Sequence, residues 1–268
     1  MHASVTGNSR PRIVLSGQDL QKSFGGVRAV SGMNLTLREG SITGLIGPNG
    51  AGKSTLFHLL SGVIRPDSGR VELFGDDVTT LPTHARAQRG MVRSFQLARE
   101  FGPLTVLENL LLAPQRQRGE RLLPLFFSPA KVKAEQESLY RRAVDVLALS
   151  QLTPLSNEYA ANLSGGQKKL LELGRALMTD CPVILLDEPG AGVNPALMGL
   201  LTDMIRQLNA KYGKTFLIIE HDMDFIARLC DPVIVMTEGR HLIEASFEEI
   251  RRDPEVIKAY LGGAAANV

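Results

Sequence analysis

Residues 47 to 55 read Gly47-Pro48-Asn49-Gly50-Ala51-Gly52-Lys53-Ser54-Thr55, and few segments of this length constrain a fold so tightly. The pattern G-x-x-x-x-G-K-[ST] curls the backbone through its glycines until successive N–H groups converge on a phosphate at a helix N-terminus. Lys53 adds a point charge and Ser54 a hydroxyl suited to a divalent cation. The run before it, Ile42 to Ile46, is short and lacks polar alternation, as suits a strand buried on both faces of a parallel sheet. Val183 to Leu186, Phe216 to Ile219 and Val233 to Met236 have the same character. The first two of these lead into Asp187-Glu188-Pro189 and Glu220-His221-Asp222. Ligands of open α/β sheets bind beyond the carboxyl ends of the strands, so the phosphate loop, the carboxylates and the histidine are expected along one edge.

Consecutive strand residues face opposite ways, so Asp187 and Glu188 need not share a task. Asp187 suits the shell of a Mg²⁺ ion, and Glu188 the polarisation of an attacking water. Leu163-Ser164-Gly165-Gly166-Gln167 precedes a proline-free stretch of helix formers, Lys168 to Met178, and reads as a second anion site at a helix start.

With 268 residues the chain has room for one large domain or a core with an inserted subdomain. Its net charge of +2, from 30 basic and 28 acidic residues, gives no case for a nucleic-acid surface. Cys181 and Cys230 each lie beside an apolar run, which favours two buried free thiols in a reducing compartment, the cytoplasm. Met1 to Arg12 lacks the apolar core of a secretory signal and reads as a loose tail. No uninterrupted apolar run is long enough to cross a bilayer, so a membrane connection is expected through a partner.

From Met91 to Asn162 strand-like runs thin out and prolines become frequent. Lys131 to about Leu149 places Leu139, Ala143, Val146 and Leu147 at helical spacing. The expected organisation is therefore a nucleotide-binding core over 12–90, a helical subdomain over 91–162, a second part of the core over 163–240, and C-terminal helices over 241–262. Ser246-Phe247-Glu248-Glu249 is a capping box and Asp253-Pro254 a cap with proline at the first helical position, so two short helices are expected to end at Gly262-Gly263.

From about Ile13 to Leu261 the chain resembles an ATP-binding-cassette ATPase, with Leu163 to Gln167 as the family signature. The resemblance implies an α/β fold: a P-loop NTPase (RecA-like) core with a mainly parallel sheet, an N-terminal antiparallel β part and an inserted α-helical subdomain. It implies an ATPase using ATP and Mg²⁺. The nucleotide would be held by Gly47 to Thr55, by Phe24 stacked on adenine, and by Gln96, which contacts Mg²⁺ and the water. Ser54, Gln96 and Asp187 become the metal contacts, Glu188 and His221 the catalytic pair, with His221 on the γ-phosphate. Ser164, Gly165, Gly166 and Gln167 would close over the nucleotide of a second ATPase subunit, identical or different. Asn194 stands where relatives commonly carry aspartate, which bears on coupling between the two sites. Glu220, also found in relatives, is expected to shape its turn.

The segments Leu104 to Leu110, Glu220 to Met223 and Asp253 to Gly262 are similar to the larger ATPase subunit of branched-chain amino-acid importers and their urea and amide relatives. Such importers pair two different ATPases with two transmembrane permeases and a periplasmic solute-binding protein, which puts this chain on the cytoplasmic face of the membrane. Leu81 to Gly90 is also close to the homodimeric ATPase of lipopolysaccharide extraction. A soluble ATPase acting on ribosomes or DNA, and an inactive regulatory cassette, are the remaining readings.

Overall fold

The structure is a computed structural model that describes residues 11–93, 100–114, 117 and 128–260, and the backbone alone of 261–265. Two long strands open the fold, β1 (Ile13–Phe24) and β2 (Val27–Arg38), an antiparallel hairpin closed by Gly25-Gly26. β4 (Ser68–Leu73) pairs with the other edge of β1, and β5 (Asp76–Asp77) completes a four-stranded antiparallel sheet.

The central sheet has the order β10-β9-β3-β8-β7-β6. It comprises β3 (Ile42–Ile46), β6 (Met91–Arg93), β7 (Val183–Asp187), β8 (Thr215–Ile219), β9 (Val233–Thr237) and β10 (Arg240–Ala245). All neighbours are parallel except the β9–β10 hairpin at one edge. Every residue of β3, β7 and β8 is buried, because both faces of the sheet are covered. Alternation along β7 divides the chain into two cores. Val183 and Leu185 join the layer of α1 (Lys53–Ser61) and the antiparallel sheet. Ile184 and Leu186 join the layer of helices on the opposite face.

Helices α3 (Val106–Leu111), α4 (Pro129–Leu149) and α5 (Gly165–Met178) pack on one another. The predicted α4 positions Ala143, Val146 and Leu147 are buried, and Leu139 is half-buried. A Cβ on Gly174 of α5 would meet Val146 Cγ1 at 3.0 Å and Leu110 Cδ2 at 3.1 Å, so the absence of a side chain sets how closely these helices approach. The expected boundaries are accordingly redrawn. Met91–Arg93, placed by sequence in the helical subdomain, is a strand of the central sheet paired with β7. The helix after the signature, placed by sequence in the core, packs on α3 and α4. At the C-terminus α8 (Phe247–Ile250) and α9 (Pro254–Ala265) match the two expected helices, but α9 runs through Gly262-Gly263 to Ala265. Both cysteines are free and buried. Among the described residues no helix is long and apolar enough to cross a membrane.

Arg86, on α2 (Thr83–Ala87), is only 1% exposed. Its guanidinium donates to Leu59 O at 2.8 Å and Leu60 O at 2.6 Å, two carbonyls at the C-terminal end of α1. It also donates to Leu81 O at 2.9 Å and Thr79 O at 3.0 Å. Burial lowers its pKa to about 10, which leaves the side chain charged at neutral pH. A cation on the last carbonyls of α1 suits the negative end of the helix dipole. Replacing it with methionine strands several buried acceptors, so Arg86→Met is expected to lower unfolding free energy by about 3 kcal/mol. Urea unfolding followed by circular dichroism checks this, and an unchanged midpoint contradicts it.

Candidate functional site

Because β3, β8 and β7 are adjacent and parallel, the segments that follow them emerge side by side. The loop after β3 is gripped from two directions. A Cβ on Gly47 (φ +154°) would lie 2.0 Å from Met236 O, at the end of β9, and one on Gly52 (φ +95°) would lie 2.1 Å from Ala29 O, in β2. Gly239 in the β9–β10 turn donates its N–H to Ala51 O at 3.0 Å, and its own carbonyl accepts from Ser31 N–H at 2.8 Å. Only glycine tolerates such close approach of backbone to backbone.

α1 begins at Lys53 directly after Gly52, which has no side chain to cap it. Its first N–H groups and the positive end of its dipole therefore remain for an anion. Asn49, Gly50 and Ser54 are exposed, Pro48 and Thr55 half-buried, and Ala51 buried. The Lys53 ammonium is buried and donates to Gly47 O at 2.7 Å and Pro48 O at 3.0 Å. An ammonium carries three N–H bonds, so one remains for a phosphate oxygen. Burial lowers the Lys53 pKa and nearby Glu188 opposes that shift.

Asp187 closes β7 and is 2% exposed. Burial holds its carboxyl above the usual carboxylate range, and the Arg93 guanidinium, 4.0 Å away, acts against that shift. Arg93 also stacks on Phe57 of α1, with 5.2 Å to the ring centroid, and donates to Ser61 Oγ at 3.4 Å. Glu188 follows at φ +48°, a conformation costing a non-glycine residue about 1 kcal/mol or more. Its N–H donates to Ile219 O at 2.9 Å, which ties the end of β7 to the end of β8. His221 Nε2 lies 3.2 Å from Glu188 Oε1, and both side chains remain partly open to solvent.

Ser164 and Gln167 form a capping box at the start of α5, with Gln167 N–H on Ser164 Oγ at 3.3 Å and Ser164 N–H on Gln167 Oε1 at 2.9 Å. The serine hydroxyl still has its own proton to donate. Ser164 and Gly165 are exposed, whereas Gly166 is buried where a Cβ would lie 2.3 Å from Leu197 Cδ1. Asn194 Oδ1 accepts from Leu197 N–H at 2.9 Å and caps α6 (Pro195–Tyr212), a role an aspartate would also fill. Phe24 ends β1 with 49% of its surface exposed and the Lys22 ammonium 5.6 Å from its ring, so it is not a core residue. Gln96 lies outside the described residues. Sequence reasoning missed Arg93, whose partners are distant in the chain, and the grip of Ala29, Met236 and Gly239 on the loop.

Residues 30–191 match a family model described as ABC transporter, and residues 244–266 match one described as branched-chain amino acid ATP-binding cassette transporter. The chain is 40% identical over 257 residues, 96% of its length and 100% of the relative's, to the high-affinity branched-chain amino acid transport ATP-binding protein BraF of Pseudomonas aeruginosa. It is 40% identical over 256 residues, 95% of its length and 98% of the relative's, to a probable branched-chain amino acid transport ATP-binding protein, LivG, of Archaeoglobus fulgidus. Its fold is similar to the crystal structure of the ADP conformation of an ATP-binding cassette of an ABC transporter, with a TM-score of 0.77 and 35% identity over 93% of this chain and 99% of that one.

The raised carboxyl of Asp187 has a consequence for stability. A group whose pKa is raised by folding stabilises the fold below its unfolded value, and that contribution is lost as pH rises through the folded value. Asp187→Asn cannot titrate. Without nucleotide and with a chelator present, the stability of the parent relative to the variant is expected to fall as pH rises above about 4, the ordinary value for aspartate. Thermal unfolding of both proteins across that range checks this, and a pH-independent difference contradicts it.

Proposed function

This chain belongs to the ABC transporter family, and on that premise we propose that it is the ATPase subunit of an importer of branched-chain amino acids or chemically similar solutes. The carrying observation is the convergence of the phosphate loop, Asp187, and the Glu188–His221 contact at the ends of three adjacent parallel strands. The match of the C-terminal segment, residues 244–266, favours the importer over lipopolysaccharide extraction.

In this reading the N–H groups of Gly50 and of Gly52 to Thr55 and the Lys53 ammonium bind the β- and γ-phosphates of ATP. The half-exposed ring of Phe24 supplies a face for adenine. Gln96 is proposed as a contact to the metal and the water. The exposed hydroxyl of Ser54 and the carboxylate of Asp187 are hard oxygen donors beside α1, which β7 touches directly, and they fit Mg²⁺. When bound, Mg²⁺ neutralises charge on the phosphates. Glu188 orients and polarises the attacking water, and His221, which lies beside Glu188 in this structure, contacts the γ-phosphate when ATP is bound.

Ser164 and Gly165 stand exposed at the start of a helix that packs on α3, α4 and α6, free to cover the nucleotide of a second ATPase subunit. Two nucleotides sealed between such subunits make closure depend on the γ-phosphate, and hydrolysis reopens the pair. Transmembrane permease subunits would convert that cycle into import of solute delivered by a periplasmic binding protein. The chain would then sit peripherally on the cytoplasmic face of the membrane. Asn194 keeps the helix cap without a charge at the proposed interface.

Purification from detergent-solubilised membranes with mass spectrometry of stoichiometric companions tests the assignment. Two distinct permeases and a second, different ATPase are expected. A homodimer on a lipid-extracting complex, or recovery only with ribosomal or DNA-repair proteins, would contradict it.

A further inference from the structure

Glu220 follows β8 and precedes His221, and only 5% of its surface is exposed. Its carboxylate is shared between two segments of chain. Oε1 accepts from Gly190 N–H at 2.7 Å. Oε2 accepts from His221 N–H at 2.8 Å and from Asp222 N–H at 3.4 Å. A carboxylate can take donors on both oxygens, whereas an amide has one acceptor oxygen and presents donors of its own.

The two segments bear the two side chains that meet at 3.2 Å, Glu188 and His221. Gly190 lies two residues beyond Glu188, and a Cβ on it would fall 2.7 Å from Glu220 Oε1 and 2.4 Å from Met198 Cε. Glu188 itself holds a left-handed φ of +48°, a conformation that persists only when its surroundings enforce it. Ile219 O takes the Glu188 N–H, and Glu220 Oε1 takes the N–H of Gly190 beyond it. The same carboxylate then fixes the backbone of His221 directly.

We propose that Glu220 is a positioning residue that sets the spacing between Glu188 and His221, a role beyond shaping its own turn. This rests on the reading of those two residues as the pair that acts in hydrolysis. Because Gly190 opens the loop leading to Asn194, the same carboxylate also ties the histidine segment to that loop.

The test measures ATP turnover by the assembled transporter carrying the parent chain, Glu220→Gln, His221→Ala or both. Glu220→Gln puts an NH₂ group against a backbone N–H on one side, and is expected to lower kcat about tenfold while KM for ATP stays within about twofold. In the His221→Ala background the same substitution is expected to change kcat little, since the spacing no longer matters. Should Glu220→Gln fail to assemble, Glu220→Asp, which keeps the charge but is too short to reach both segments, is expected to show the same split between kcat and KM. Parental kcat in Glu220→Gln, or full multiplication of the two effects in the double variant, overturns the proposal. Parental turnover by His221→Ala overturns the underlying reading, and the proposal with it.

Discussion

Everything in this fold that bears on nucleotide depends on how closely the phosphate loop lies against its neighbours. Gly47 sits on the carbonyl of Met236 and Gly52 on the carbonyl of Ala29, at distances no side chain allows. These contacts bring the end of β9 and the body of β2 onto one short loop, with Gly239 hydrogen-bonded to both the loop and Ser31. The antiparallel sheet is therefore part of the wall that holds the cradle in shape. At the far end of α1, Arg86 holds the last carbonyls, so the helix is fixed at both ends. A cradle built this way meets a phosphate with little reorganisation.

The ends of β7 and β8 impose the second constraint. Their hydrogen bonds through Glu188 N–H and Ile219 O, and through the Glu220 carboxylate, make one unit of two segments far apart in sequence. Asp187 stays buried beside Arg93, and burial raises its pKa. In the proposed function, the exposed serine and glycine of the signature form a half-site that a second subunit completes. In the proposed cycle, ATP binding and hydrolysis become closure and opening between subunits.

Much of this was legible in the sequence because buried parallel strands leave an unmistakable record. Ile42 to Ile46, Val183 to Leu186, Phe216 to Ile219 and Val233 to Met236 all form strands of the central sheet. The carboxyl ends of the first three carry the motifs where topology requires. Met91–Arg93 escaped notice because three residues are too few to show a period, and the pairing with β7 that defines the strand is non-local. The capping box of Thr105 and Glu108 and the cap of Asn194 before Pro195 are absent from the sequence reading, although both carry the residue types a helix start requires. The burial of Arg86 had no such signal, since arginine reads as a surface residue until distant carbonyls converge on it. The grip on the phosphate loop was equally silent, because Ala29 and Met236 contribute only backbone oxygens.

Binding of a fluorescent ATP analogue to Gly52→Ala, with Gly213→Ala as control, tests the constraint on which this account turns. Both glycines have positive φ, +95° and +61°, so both substitutions strain the backbone, yet only at Gly52 does the new Cβ meet a neighbouring carbonyl. The account predicts nucleotide affinity close to parental for Gly213→Ala and at least about tenfold weaker binding for a folded Gly52→Ala. Parental affinity in Gly52→Ala would show that the close contact with Ala29 does not shape the phosphate cradle.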